Sequence, residues 1–187
     1  MQPTGATDTT NRPLAAPNGI RWEAAQVWAA DHGGHLATIG SGGMAIRHST
    51  APDSPMAFEA AGYNRQSPLI FGALGRAWLA FASDEERRAA LRAVGVRQTP
   101  ALLSALEGVR RDGYAFTRPP RPTRLHGMGV PILRRGRVLG SLSLRFPRSA
   151  MSEKEAGERF GKRMAAVARL HGMGVPILRR SRVLGSL

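Results

Sequence analysis

Residues 124–142 read RLHGMGVPILRRGRVLGSL, and residues 169–187 repeat them with one change, Gly136 against Ser181. Each copy is two β-rich apolar runs separated by Arg-Arg-Gly or Arg-Arg-Ser, the pattern of a hairpin. Only two copies exist and they are nearly identical, so solenoid logic does not apply. A recent tandem duplication or an artefact of sequence assembly accounts for them better. The one difference falls in the turn, where glycine tolerates a positive φ and serine does not. The first copy is therefore expected to own the sheet position. Residues 169–187 are expected to be a loosely held tail, or a competing strand open to swapping and aggregation.

The rest of the chain supplies the elements such a hairpin packs against. Residues 1–20 read as a flexible lead-in, being rich in Thr, Pro, Gly and Asn without apolar periodicity. The spacing Trp22, Ala25, Trp28, Ala29 suits a helix that stops at Asp31-His32-Gly33-Gly34. Strands are expected at 35–39 and 44–48 across a Gly40-Ser41-Gly42-Gly43 turn, followed by a loop over 52–68. Three helices come next. The first, at 73–81, is apolar nearly all round, as a buried helix is. The second opens on the capping box Ser83-Asp84-Glu85-Glu86. The third has Thr99 as cap, Pro100 in its first turn, the stripe Leu102, Leu103, Leu106 and Val109, and Gly113 as a left-handed stop. A short strand at 114–117 and a proline-broken loop at 118–123 lead into the hairpin, strands 125–133 and 137–146. Ser152 and Glu155 then form another capping box before a helix with Ala156, Phe160, Met164 and Val167 on one face. Helices between antiparallel strands make the class α+β.

With 187 residues, 42% hydrophobic and 21% charged, the chain has the makings of one cored domain and is not compositionally disordered. No apolar run approaches the length of a membrane span, and the start lacks a signal-peptide pattern, so a cytoplasmic protein is expected. The absence of cysteine excludes disulfide scaffolds, thiolate zinc sites and cysteine nucleophiles. The net charge of +14 is unevenly placed: residues 1–107 balance, whereas 108–187 hold 18 basic and 4 acidic residues. Such a one-sided field suits a phosphate backbone or an anionic ligand. A solvated arginine-rich surface explains it equally.

No catalytic signature is present. The Gly40–Gly43 run lacks the last glycine of a dinucleotide fingerprint and the Lys-Ser/Thr of a phosphate loop, and reads as a turn. His32 and His35 lack a third ligand nearby, so no metal site and no cofactor are expected. There is no Gly-x-Ser-x-Gly and no serine, histidine and acid set for a triad, so the chain is not expected to be an enzyme.

Gly72-Ala73-Leu74-Gly75-Arg76-Ala77-Trp78-Leu79-Ala80-Phe81 followed by Ser83-Asp84-Glu85-Glu86-Arg87 resembles the small-residue helix and acidic-capped helix of the effector domain of IclR-type transcriptional regulators. Leu106-Glu107-Gly108-Val109-Arg110-Arg111-Asp112-Gly113-Tyr114-Ala115 is similar to the family's helix running into a Gly-Tyr strand. Gly129-Val130-Pro131-Ile132 with residues 136–144 is similar to its central hairpin, and residues 146–152 to the lead into its last helix. The resemblance spans roughly residues 22–170. The order and spacing of these landmarks carry it, since no single one is specific. Ser67-Pro68-Leu69 resembles the branch that responds to aromatic carboxylic acids.

The resemblance implies a GAF-like sensor at 21–168, with a curved antiparallel sheet flanked by helices. It also implies a small organic acid as effector and assembly into homodimers or tetramers. Family members read DNA through an N-terminal winged helix-turn-helix of about eighty residues. The lead-in is too short for one, so DNA contact is expected only through a missing or separate head. By position, the resemblance assigns the ligand's carboxylate to the backbone N–H groups of Ala73 and Leu74, consistent with the preference of helix N-termini for anions. Ser143 matches a serine donor on the central strand. Arg145, two residues on, shares its face and is either a bidentate carboxylate clamp or the start of a solvated strand end. Thr117 stands where the family often has an acid, and Gly127 where it often has a cysteine or small residue. The leading expectation is thus a ligand-sensing domain. The others are a small arginine-rich nucleic-acid-binding protein using residues 110–148, a hydrolase on a similar sheet, and a decayed remnant.

Overall fold

The computed structural model describes residues 34–40, 42–49 and 66–172. The expected lead-in, the helix near Trp22, most of the 52–68 loop and residues 173–187 lie outside them. In chain order the elements are β1 (Gly34–Gly40), β2 (Gly43–Ser49), β3 (Gln66–Ser67), α1 (Ala73–Phe81), α2 (Asp84–Ala93), α3 (Pro100–Asp112), β4 (Ala115–Phe116), β5 (Leu125–Arg134), β6 (Arg137–Pro147) and α4 (Glu153–Gly172). The strands form one six-stranded sheet in the order β3-β2-β1-β6-β5-β4, every neighbour antiparallel. The class is α+β, with a curled half-barrel sheet, as the sequence led us to expect.

The hairpin of the first repeat copy, β5–β6, sits inside the sheet. Its register runs from Leu125↔Pro147 to Arg134↔Arg137, with an irregularity between Ile132 and Leu133. Arg135 (φ 48°) and Gly136 (φ 77°) both take positive φ in the turn, as two-residue hairpin loops of the I′ kind require. The glycine was expected there. The arginine before it was not, because a non-glycine residue with positive φ leaves no local sequence signal. Pro131 is tolerated in β5 because β4 pairs with Met128 and Gly129 and, among the described residues, the strand beyond them is an edge. β3 is a second departure from expectation: two residues of the anticipated 52–68 loop, Gln66 and Ser67, pair with Ala45 and Met44 of β2.

The pleat divides the core into two layers. Met128, Val130, Ile132, Leu142 and Phe146 pack against Ala156, Met164 and Ala168 of α4. On the other face Ala37, Met44 and Ile46 join Leu74, Ala77, Trp78, Leu106 and Val109 of α1 and α3. Seven of the nine residues of α1 are buried, which explains its nearly uniform apolarity.

The three caps foreseen in the sequence are formed. Glu86 N–H donates to Ser83 Oγ (3.2 Å) while Ser83 N–H donates to Glu86 Oε2 (3.1 Å). Glu155 N–H and Ser152 N–H make the same exchange at 3.2 and 2.7 Å. Thr99 Oγ1 accepts from Leu102 N–H at 3.2 Å, and Gly113 closes α3 at φ 78°.

The helix α4 continues through Gly172, so Arg169-Leu170-His171-Gly172, the first four residues of the second repeat copy, have helical backbone. The same tetrapeptide at 124–127 enters β5. Arginine and leucine are good helix formers, and a helix already running into them extends more cheaply than it nucleates. In the first copy, pairing with β6 overrides that preference.

Candidate functional site

The α1 N-terminus lies directly on β5. A methyl group built on Gly129 would stand 2.6 Å from Ala73 O and 2.7 Å from Ala73 C. Only a strand residue without a side chain allows this approach. The helix entry is fixed from two sides: Gly72 N–H donates to Pro68 O (3.0 Å), and Arg118 N–H donates to Phe71 O (2.8 Å).

No side chain caps α1, and no acidic residue occupies its first turn. Its C-terminal end is treated differently. Arg87, 5% exposed, donates Nη1 to Ala82 O at 3.3 Å and to Leu79 O at 3.5 Å. The guanidinium of Arg110 donates Nε to Ala80 O, and Arg87 also pairs with Asp84. Cations from α2 and α3 thus satisfy the carbonyl end, while the amide end is left without a compensating side chain.

That amide end faces a cleft of about 570 Å³. Ala73 and Leu74 line it from α1 and Gly72 from the N-cap before it, Gly127 from β5, and Ser143 and Arg145 from β6. Thr117 with Pro119 and Pro120 come from the segment after β4, Ile46 from β2, and Gln66, Ser67, Pro68 and Phe71 from the approach to α1. All six residues that the resemblance assigns, Ala73, Leu74, Thr117, Gly127, Ser143 and Arg145, line this one cleft. The register explains why: Ser143 is opposite Gly129 and Arg145 opposite Gly127, and directly opposed residues share a face. Ser143 is 3% exposed and Ala73 and Leu74 are each 4% exposed. Thr117 is tied to β5 by N–H and Oγ1 bonds to Gly127 O, at 2.8 and 3.2 Å.

Among the described residues lining the cleft, Arg145 is the one ionisable group and none is a carboxylate. On α1 beside it, burial first and Arg118 second hold the Arg76 guanidinium below its ordinary range, and Arg76 Nε is buried without an acceptor. Arg118 is itself clamped by Glu153 through Nη1–Oε1 and Nη2–Oε2 at 2.6 and 2.9 Å, and the same carboxylate is 3.2 Å from His126 Nδ1. Arginines of the basic C-terminal half are thus partly engaged within the molecule: Arg110 on α1, Arg118 on Glu153, Arg137 on Glu86. Among the described residues no three His, Asp or Glu side chains gather to hold a metal ion, and no helix is long and apolar enough to cross a membrane.

The sequence reading did not assign the apolar wall to the site. Phe71, Pro119 and Pro120 were visible only as a loop aromatic and a proline break, since a lining role depends on how two distant loops meet. Arg118 N–H to Phe71 O is the bond that brings them together.

Comparison with known proteins gives a consistent neighbourhood. A family described as "Bacterial transcriptional regulator IclR C-terminal" matches residues 31–170. The C-terminal domain of the E. coli transcriptional regulator KdgR is similar in structure at TM-score 0.66 and 22% identity, covering 82% of this chain and 97% of that one. The inducer-binding domain of the Acinetobacter transcription factor PobR, a double mutant in complex with 3-hydroxybenzoic acid, has TM-score 0.64 and 12% identity over 80% of this chain and 96% of that one. An IclR family transcriptional regulator from Brucella abortus has TM-score 0.64 and 18% identity, covering 83% of this chain and 62% of that one.

Proposed function

Because the chain belongs to the IclR C-terminal family of bacterial transcriptional regulators, we propose that it is a ligand-sensing domain whose effector is an organic carboxylic acid held in the α1–β5–β6 cleft. The observation that carries this reading is convergence: the start of α1, which has no side-chain cap, the Ser143 hydroxyl and the Arg145 side chain line one cleft, and none of the described lining residues is a carboxylate. Backbone N–H groups at a helix start are a ready anion site. A guanidinium adds two parallel donors that match a carboxylate. The PobR domain described above, which binds a hydroxybenzoic acid, supports the choice of acid.

The domain works, on this reading, as a cytoplasmic homo-oligomer. The effector shifts the arrangement of protomers by binding one arrangement more tightly than another, and that arrangement sets the spacing of the winged helix-turn-helix heads that contact DNA. No catalytic step is proposed.

A thermal-shift screen of carboxylic acids, each beside its neutral primary amide, tests the proposal. The acids raise the melting temperature through preferential binding to the folded state, and the amides do not. Equal responses from acids and amides, or none from any acid, overturn it.

A further inference from the structure

Resting on that carboxylate reading, we propose that the natural effector is an amphipathic monoanion whose apolar body exceeds a single ring: a medium-chain or polycyclic carboxylate. The cleft of about 570 Å³ is nearly four times the roughly 150 Å³ that encloses a benzene-sized guest. A one-ring acid seated at Ala73 therefore leaves most of the cleft to water. The remaining wall is unsuited to water. Phe71 is 39% exposed and, among the described residues, is the large apolar side chain left open to solvent. With Pro119 and Pro120 it lines the cleft as an apolar rim, and the rim is continuous because Arg118 N–H binds Phe71 O at 2.8 Å. Two prolines give that rim a shape fixed before binding, which lowers the ordering cost of covering it.

Charge complementarity limits the anionic end to one group. The anionic end belongs at the start of α1, which has no side-chain cap, and Arg145 is the one cation among the described residues lining the cleft. A second carboxylate placed along the Phe71, Pro119 and Pro120 rim would be desolvated against apolar groups. One negative head at the α1 start with an apolar body along the Phe71 rim satisfies both walls.

The test is calorimetric titration of the full chain with butyrate, hexanoate, octanoate and decanoate, and with benzoate against 2-naphthoate, all below micellar concentrations. Affinity is expected to rise about fourfold per added methylene along the series, 2-naphthoate is expected to bind more tightly than benzoate, and Phe71→Ser is expected to reduce the gain per carbon. Binding of the short and one-ring acids with no gain for the larger ones overturns the size inference while leaving the carboxylate reading intact. No binding by any acid of either series overturns the carboxylate reading, and with it this inference. A slope per carbon unchanged by Phe71→Ser overturns the assignment of the rim.

Discussion

Replacing Gly129 with alanine probes the contact on which the whole site depends. The added methyl would stand 2.6 Å from Ala73 O, 2.7 Å from Ala73 C and 3.2 Å from Leu74 N, where ordinary contact begins near 3.4 Å. All three neighbours are backbone atoms and cannot rotate aside. The helix cannot slide freely either, because its own Trp78, Leu79 and Ala80 are buried in the core and Gly72 N–H is bonded to Pro68 O at 3.0 Å. Overpacking of this kind costs about 1–3 kcal/mol. Alanine restricts the unfolded chain and returns about 0.4–1 kcal/mol. Gly129 is not among the glycines with positive φ, so no dihedral penalty is added. The expected net loss is about 1–2 kcal/mol, read as a lower urea midpoint at unchanged slope. Because the methyl displaces the start of α1, the melting-temperature response to carboxylic acids is expected to weaken as well. Gly127→Ala is the control: its methyl is closest to Thr117 Oγ1, a side-chain atom that can turn away at the cost of its bond to Gly127 O, whereas backbone cannot, so its stability loss is smaller. A Gly129→Ala protein as stable as the parent would refute the close-approach argument.

Gly136→Ser gives the first hairpin the turn of the second copy. A Cβ at Gly136 meets nothing within 4 Å, so the expected loss of about 1–2 kcal/mol is purely the cost of a left-handed residue with a side chain; an unchanged urea midpoint would contradict it. Stability is also expected to depend on pH through two capping boxes. Hydrogen bonds from the Ser83 backbone and then its side chain lower the pKa of Glu86, and those from Ser152 do the same for Glu155. Carboxylates depressed in the folded state stabilise it fully above their ordinary pKa of about 4.3, and the contribution is lost as pH falls through the folded values. Denaturation midpoints measured from pH 7 to pH 3 should therefore decline less steeply in the Glu86→Gln/Glu155→Gln protein, and an identical slope would remove these groups from the account.

Much of the fold was legible because local chemistry coincides with tertiary need. Ser83, Thr99 and Ser152 cap helices wherever those helices pack, and Gly113 and Gly136 hold positive φ for reasons confined to a few residues. The strand content of β5 and β6 was equally plain from two apolar runs flanking the Arg134-Arg135-Gly136 turn. The β3 pairing was hidden, since two residues carry no periodicity and gain strand geometry only from the edge of β2. The fate of Arg-Leu-His-Gly is the sharper case: one tetrapeptide is helical at 169–172 and enters a strand at 124–127, so its neighbours decide its conformation. For the site, Ala73, Leu74, Thr117, Gly127, Ser143 and Arg145 came from family resemblance and share one cleft in the structure. The rim of Phe71, Pro119 and Pro120 did not come with them, because it arises where the turn before α1 meets the loop after β4.

The central claim, that backbone amides at the start of α1 hold the carboxylate, is tested most directly by Ala73→Pro. Proline is well accepted at the first helical position and deletes one N–H donor there. The preceding Gly72 already has φ −76° and ψ 144°, the extended geometry that a following proline requires. Calorimetric titration of parent and variant with the tightest-binding acid should show folding stability changed by less than about 1 kcal/mol. Affinity should fall about 10- to 100-fold, the value of one hydrogen bond to a charged group. Equal affinity in a folded Ala73→Pro protein would contradict the claim.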